Sequence, residues 1–208
     1  MKVKLCGFSE EKSLKVALDN GADFIGFVFY EKSPRNINLE QAKKLGEFVG
    51  EKALKVSVTV DADLEFLEKI EKSLKPHYFQ LHGNENRQKI IEIKKKFPKI
   101  KIIKAIKVEK KSDLDQNIDF VDLVDFLLFD NIMAGSGKSW DYSLLKNFKC
   151  EKDWFLSGGL NSDNILSALE NSGSKMIDVS SGIEKERGKK SPELIMEFMK
   201  KVKTSELF

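Results

Sequence analysis

This 208-residue sequence contains little cysteine, histidine, proline or arginine, and three of these scarcities bear on function. The only two cysteines, Cys6 and Cys150, stand far apart, which is neither a disulfide framework nor metal-ligand spacing. The only histidines are His77 and His82, and neither has a second ligand at metal spacing, so no metal site is expected. No apolar run is long enough to span a membrane, and the first residues lack the apolar core of a secretion signal. A cytoplasmic location is the expectation. A dominant charge is also missing: 36 basic and 33 acidic side chains leave a net +3, which gives no reason to expect nucleic acid or an anionic membrane as partner. Arginine occurs only at positions 35, 87 and 187, so a task needing a planar two-point fork for a carboxylate or phosphate has few candidates.

What is present is a soluble globular composition, 41% hydrophobic and 33% charged. The length supports a sizeable core, and one domain over residues 1–208 is expected. Short apolar runs recur about every 25 residues: Lys2–Cys6, Phe24–Phe29, Lys55–Val60, Tyr78–Leu81, Lys101–Val108, Phe126–Phe129, Trp154–Leu156 and Met176–Val179. Several are almost wholly apolar, as strands covered on both faces are. Amphipathic helical patterns lie between and after them: Glu10–Asn20, Leu39–Val49, Asp63–Leu74, Glu85–Phe97, Ser112–Ile118, Trp140–Phe148, Ser162–Asn171 and Pro192–Val202. This alternation predicts an α/β fold, a closed parallel (βα)8 or TIM barrel, in preference to an open doubly wound sheet.

In such a barrel the C-terminal strand ends share one face, and that face carries the chemistry. The first run ends in Cys6-Gly7, which makes Cys6 either a small core thiol or a reactive group at the mouth. The second leads to Arg35 and the fourth to His82, a positioning, basic or core group. The sixth ends at Asp130. A carboxyl group closing an apolar strand at a barrel mouth suits proton donation, though a solvated loop residue or helix cap fits the same position. The seventh and eighth runs lead into Ser157-Gly158-Gly159 and Ser180-Ser181-Gly182. Small residues there expose backbone N–H groups, the usual phosphate site of this fold, or else form simple tight turns. Gly135-Ser136-Gly137-Lys138 lacks the spacing of a nucleotide P-loop and reads as a loop over the site, with Lys138 or backbone groups reaching an anion.

Taken together, these segments resemble one family. Lys4-Leu5-Cys6-Gly7, Gly21–Phe29 with Lys32-Ser33-Pro34-Arg35, Gln80-Leu81-His82-Gly83, Leu127-Leu128-Phe129-Asp130, Leu156–Asn161 and Ile177–Gly182 look like the ordered motifs of phosphoribosylanthranilate isomerase, an enzyme of tryptophan biosynthesis. The resemblance implies a cofactor-free barrel acting on a small phosphosugar by an Amadori rearrangement, as a monomer or homodimer. It implies Asp130 as general acid and Cys6 as general base, the latter with donors or dipoles that lower its pKa. It further implies Arg35 as the clamp on the anthranilate carboxylate. Gly158, Gly159, Ser180, Ser181 and Gly182 would form the phosphate cradle, and His82 and Asp178 would position the sugar. A phosphosugar aldolase using Lys104 or Lys107 is the competing barrel chemistry, and a catalytically silent phosphate-binding protein is the non-enzymatic alternative.

Overall fold

The computed structural model describes residues 1–115, 119–131 and 139–204. Eight parallel strands close into a barrel in chain order: β1 (Lys2–Cys6), β2 (Phe24–Phe29), β3 (Leu54–Thr59), β4 (Tyr78–Leu81), β5 (Lys101–Val108), β6 (Phe126–Asn131), β7 (Trp154–Leu156) and β8 (Met176–Val179). Strand β8 pairs back onto β1 with Lys4 opposite Asp178, so the barrel has no open edge. Around it run α1 (Glu11–Asp19), α2 (Leu39–Val49), α3 (Leu64–Leu74), α4 (Arg87–Lys96), α5 (Ser112–Asp115), α6 (Ile165–Ser172) and α7 (Pro192–Lys203).

Local chemistry sets the helix starts. Asn38 and Gln41 form a reciprocal capping box at α2. Asp63, Asn86 and Ser191 each accept a backbone N–H from the first turn of α3, α4 and α7, and Pro192 follows Ser191 where its missing N–H costs nothing. Such a cap is worth about 1 kcal/mol. The helices then bury one face, Leu67, Ile70 and Leu74 on α3 and Ile195, Phe198 and Met199 on α7. Fully burying each of these large side chains contributes roughly 1.5–3 kcal/mol.

Strand alternation separates two cores. On β1, Val3 and Leu5 join the layer between strands and helices, whereas Cys6 belongs to a cluster inside the barrel. The lower barrel is sealed by aromatic rings near the strand starts. Phe24 packs edge-on against Tyr78 at 5.6 Å and Phe155 at 5.3 Å, and Phe126 stacks on Tyr78 at 5.6 Å. With the bottom filled by hydrocarbon, polar inward residues have only the upper, C-terminal mouth to face.

The predicted barrel is present, with two departures. The helix expected over Trp140–Phe148 is a single 3₁₀ turn, Tyr142–Leu145. The Asp141 side chain caps Ser143 at both N and Oγ, Asn147 takes a left-handed φ of 66°, and Trp140 and Tyr142 bond to the loop after β7. These ties stop helix propagation. The chain also forms a short antiparallel hairpin, β9 (Glu184–Glu186) and β10 (Lys189–Lys190), in a stretch with no strand-like apolar pattern. The end of the expected Ser112–Ile118 helix, and the Ala134–Lys138 loop with its anion-reaching Lys138, lie outside the described residues.

Candidate active site

A cavity of about 300 Å³ opens at the C-terminal mouth. Its wall includes Cys6, Arg35, His82, Asp130, Gly158, Gly159, Asp178, Ser180 and Ser181, so the C-terminal ends of β1, β6 and β8 and the loops after β2, β4, β7 and β8 converge there. Gly182 is not in the wall. A Cβ on Gly182 would stand 1.9 Å from the Leu160 carbonyl oxygen, and a bridge pairs it with Asn161; its role is to let the loops after β7 and β8 touch.

Asp130, at 6% exposure, is the penultimate residue of β6. Its Oδ1 accepts the Asn131 backbone N–H at 2.8 Å, and Oδ2 lies 3.2 Å from Nε2 of His82. Nδ1 of His82 lies 3.0 Å from the Gln80 amide nitrogen, leaving the buried Gln80 Oε1 without a hydrogen-bond partner. Turning the Gln80 amide over would let Oε1 accept from Nδ1–H and free Nε2 to accept a proton from Asp130. The row Gln80–His82–Asp130 therefore accommodates both protonation states of the carboxyl group. Gly158 takes a φ of 90° beside the acid, and a Cβ there would come within 2.8 Å of Asp130 Oδ1 and Trp140 Nε1. Tyr142 donates to the Gly158 carbonyl at 2.6 Å. Burial, with Asp130 adding to it, pushes the Tyr142 phenol well above its ordinary range, so it remains a donor.

Cys6 faces the same cavity from β1, with Gly26 making room for its sulfur: a Cβ on Gly26 would sit 2.5 Å from Sγ. The expected lowering of the thiol pKa is not found. Burial pushes it up and outweighs the opposing charges of Lys4 and Lys190. Beneath the thiol, Lys4 is fully buried and bonds Asp178 at 2.8 Å, and Asp178 in turn accepts from Ser157 Oγ at 3.4 Å.

Arg35 reaches the cavity wall, but its fork is engaged. Nε and Nη2 donate to the two carboxylate oxygens of Glu184 at 2.7 and 2.9 Å. Glu184 also accepts from Lys190 at 2.6 Å and from the Gly188 N–H at 3.1 Å. Lys190 donates onward to the Ser180 carbonyl at 2.9 Å, and Ser180 Oγ bonds the Cys6 carbonyl at 3.1 Å. Burial raises the Glu184 pKa, but hydrogen bonds from Arg35 and the Lys190 charge more than reverse it, leaving the carboxyl below its ordinary value. Burial pulls Lys190 down to about 8 despite Glu184. Sequence reasoning missed Glu184 and Lys190, because charged residues in a polar hairpin read as solvated surface. It also missed Lys4, whose position two residues before Cys6 on the same strand face was the available signal.

Lys104 is not a site lysine. It points away from the cavity and donates to the Gly83 carbonyl at 2.9 Å and to Glu85 at 3.0 Å, whereas Lys107 does line the wall. Among the described residues, no group of three or more His, Cys, Asp or Glu is placed to hold a metal ion, and no helix is long and apolar enough to cross a membrane.

A (βα)8 barrel with a carboxyl group, a thiol and two glycine-serine loops on one mouth defines a class: barrel enzymes that move protons on a small substrate. The chain belongs to the N-(5'-phosphoribosyl)anthranilate isomerase family, whose model matches residues 3–201. It is 38% identical over 212 residues to the N-(5'-phosphoribosyl)anthranilate isomerase of Parvibaculum lavamentivorans, covering 98% of each chain. Its fold matches a phosphoribosylanthranilate isomerase in complex with reduced 1-(o-carboxyphenylamino)-1-deoxyribulose 5-phosphate, with a TM-score of 0.87, 30% identity and coverage of 99% and 100%. A monomeric form of the dimeric Thermotoga maritima enzyme matches with a TM-score of 0.86, 30% identity and the same coverage.

Proposed function

We infer that this chain isomerises N-(5-phosphoribosyl)anthranilate to 1-(2-carboxyphenylamino)-1-deoxyribulose 5-phosphate, the Amadori step of tryptophan biosynthesis, acting in the cytoplasm as one catalytic barrel without a cofactor. The observation that carries this reading is the convergence of Asp130 and Cys6 on one cavity that the loops after β7 and β8 also wall.

Asp130, protonated, gives its proton to the furanose ring oxygen. The C1′–O bond breaks, and the nitrogen lone pair forms the C1′=N iminium. Cys6, as thiolate, removes the C2′ proton, and the C–H electrons pass to C1′–C2′ to leave a neutral enolamine. Tautomerisation of that enol gives the 2-ketone and completes the aminoketose. Asp130 has then lost a proton and Cys6 has gained one, so exchange with water restores both. Backbone groups of Gly158, Gly159, Ser180 and Ser181 hold the phosphate, where small residues let it approach. Arg35 meets the anthranilate carboxylate through Nη1, the guanidinium nitrogen that Glu184 does not engage among the described residues. His82 orients Asp130, and Asp178 lies beneath the sugar. A product-like analogue bound to a relative of the same fold supports the substrate class.

The deciding experiment is rescue of a tryptophan auxotroph lacking this isomerase. Growth with the native gene and none with an Asp130→Asn gene is expected. Failure of a well-expressed native chain to rescue removes the assignment.

A further inference from the structure

Lys4 is the most deeply buried cation in the barrel and has no role in the proton transfers just described. It lies at 0% exposure on the inward face of β1, two residues below Cys6, with Phe24 opposite it on β2 and Asp178 opposite it on β8. Its Nζ is fixed 2.8 Å from Asp178 Oδ1, and its strand position puts it on the same inward face as Cys6. An ion pair placed among apolar side chains is a poor way to stabilise a core, because desolvation costs about as much as the attraction returns. Hydrocarbon of the same volume would serve the fold equally well. The pair needs another reason to be there, and the adjacent group is the proposed base.

We propose that Lys4 is a positioning residue for the isomerisation: its ammonium, anchored by Asp178, supplies the positive charge that lets Cys6 exist as the proton-accepting thiolate. This rests on the reading of Cys6 as the base. The groups facing the thiol are Lys4 from β1, Asp178 from β8, Lys190 from β10 and the Arg35 guanidinium from the loop after β2. Lys190 and Arg35 share Glu184 across the loops after β2 and β8, and Lys190 acts on the thiol less strongly than Lys4 does. Lys4 is the nearest cation on the thiol's own strand face, and it is the strongest influence opposing burial at Cys6. Asp178 has two opposed effects: it fixes the ammonium, and its own charge disfavours the thiolate.

Those signs give a test that a purely structural role does not pass. Alkylation of Cys6 by iodoacetamide is followed against pH, without substrate, in a Cys150→Ser background that leaves one reactive thiol. Lys4→Met is expected to raise the alkylation midpoint by at least one pH unit, cutting thiolate at neutral pH about tenfold. The acid limb of kcat/KM should move by the same amount. Asp178→Asn is expected to move the midpoint the opposite way. If Lys4→Met does not fold, Lys4→Met with Asp178→Leu removes both charges and should still give an upward shift, because the Lys4 influence is the larger. An unchanged midpoint without Lys4, or shifts of the same sign in both single variants, overturns the proposal. Because alkylation needs no substrate, this outcome is independent of whether the chain rescues the auxotroph.

Discussion

Arg35 donates through Nε and Nη2 to both carboxylate oxygens of Glu184, a residue 149 positions later in the chain. The pair joins the loop after β2 to the hairpin after β8. Gly188 in that hairpin packs against Pro34, where a Cβ would lie 2.6 Å from the Pro34 carbonyl oxygen. The scarce arginine is thus a structural clasp as well as a cavity wall. Its orientation at the cavity wall is set by a carboxylate that sequence inspection passed over.

Glu184→Gln tests the clasp. Arg35 and Lys190 would both stay buried with a weakened partner, which typically costs 3–5 kcal/mol, or about that much in urea unfolding. The pH dependence has a defined sign. The folded pKa of Glu184 lies below the ordinary 4.5, so its stabilisation is fully present above 4.5 and is lost as pH falls through the lower folded value. The variant should lack that part of the acid limb in a plot of Tm against pH.

Lys190→Met tests the other side of the same network. The native pKa of about 8 lies below the ordinary 10.5, so the folded state loses its proton first. Between those values the unfolded chain holds more protons, and this group's contribution to stability rises with pH. The difference between native and variant unfolding free energies should therefore change by a few kcal/mol, on the order expected from linkage, between pH 8 and 10.5. Below pH 8 it should be flat.

Asp130→Asn should fold normally, since Asn131 N–H can still donate to an amide oxygen at that position. Turnover should fall roughly 10²–10⁴-fold, the scale of a lost general acid. Steady-state kinetics on the purified variant, with a matched melting curve, separate lost chemistry from lost fold. Turnover within tenfold of native would remove Asp130 from the acid role.

Lys104→Met is expected to damage the scaffold more than the chemistry. Lys104 and Glu85 form a buried pair that ties the Gly83 carbonyl, the Gly83 N–H and the Asp61 N–H together, fixing the loops after β3 and β4. Removing the cation strands Glu85 and should cost about 3–5 kcal/mol. Chemical denaturation measures this. In the folded fraction, kcat should change less than stability, because His82 is also held by Gln80.

The sequence by itself determined the barrel and which end of it matters. Strand residues such as Phe24–Phe29 are apolar on both faces because both faces are covered. The helices between them carry local caps, so each βα unit was legible from short-range chemistry. The residues at the strand ends then followed from counting, and Cys6, Arg35, His82, Asp130 and the glycine-serine turns do meet at one cavity, which Asp178, named only by the family resemblance, also lines. Tertiary structure alone decided how their charges are paired. Lys4 reads as one lysine among many until β8 closes beside β1 and brings Asp178 to it. Glu184 and Lys190 read as surface until their hairpin folds over the Arg35 loop. The segment after Trp140 has a helical pattern but gives it up to side-chain bonds with the loop after β7. The physical reason is common to all three. Apolar periodicity and capping act over a few residues and are written locally, whereas a buried charge or a hydrogen-bonding side chain takes its partner from whatever segment the closed barrel places next to it.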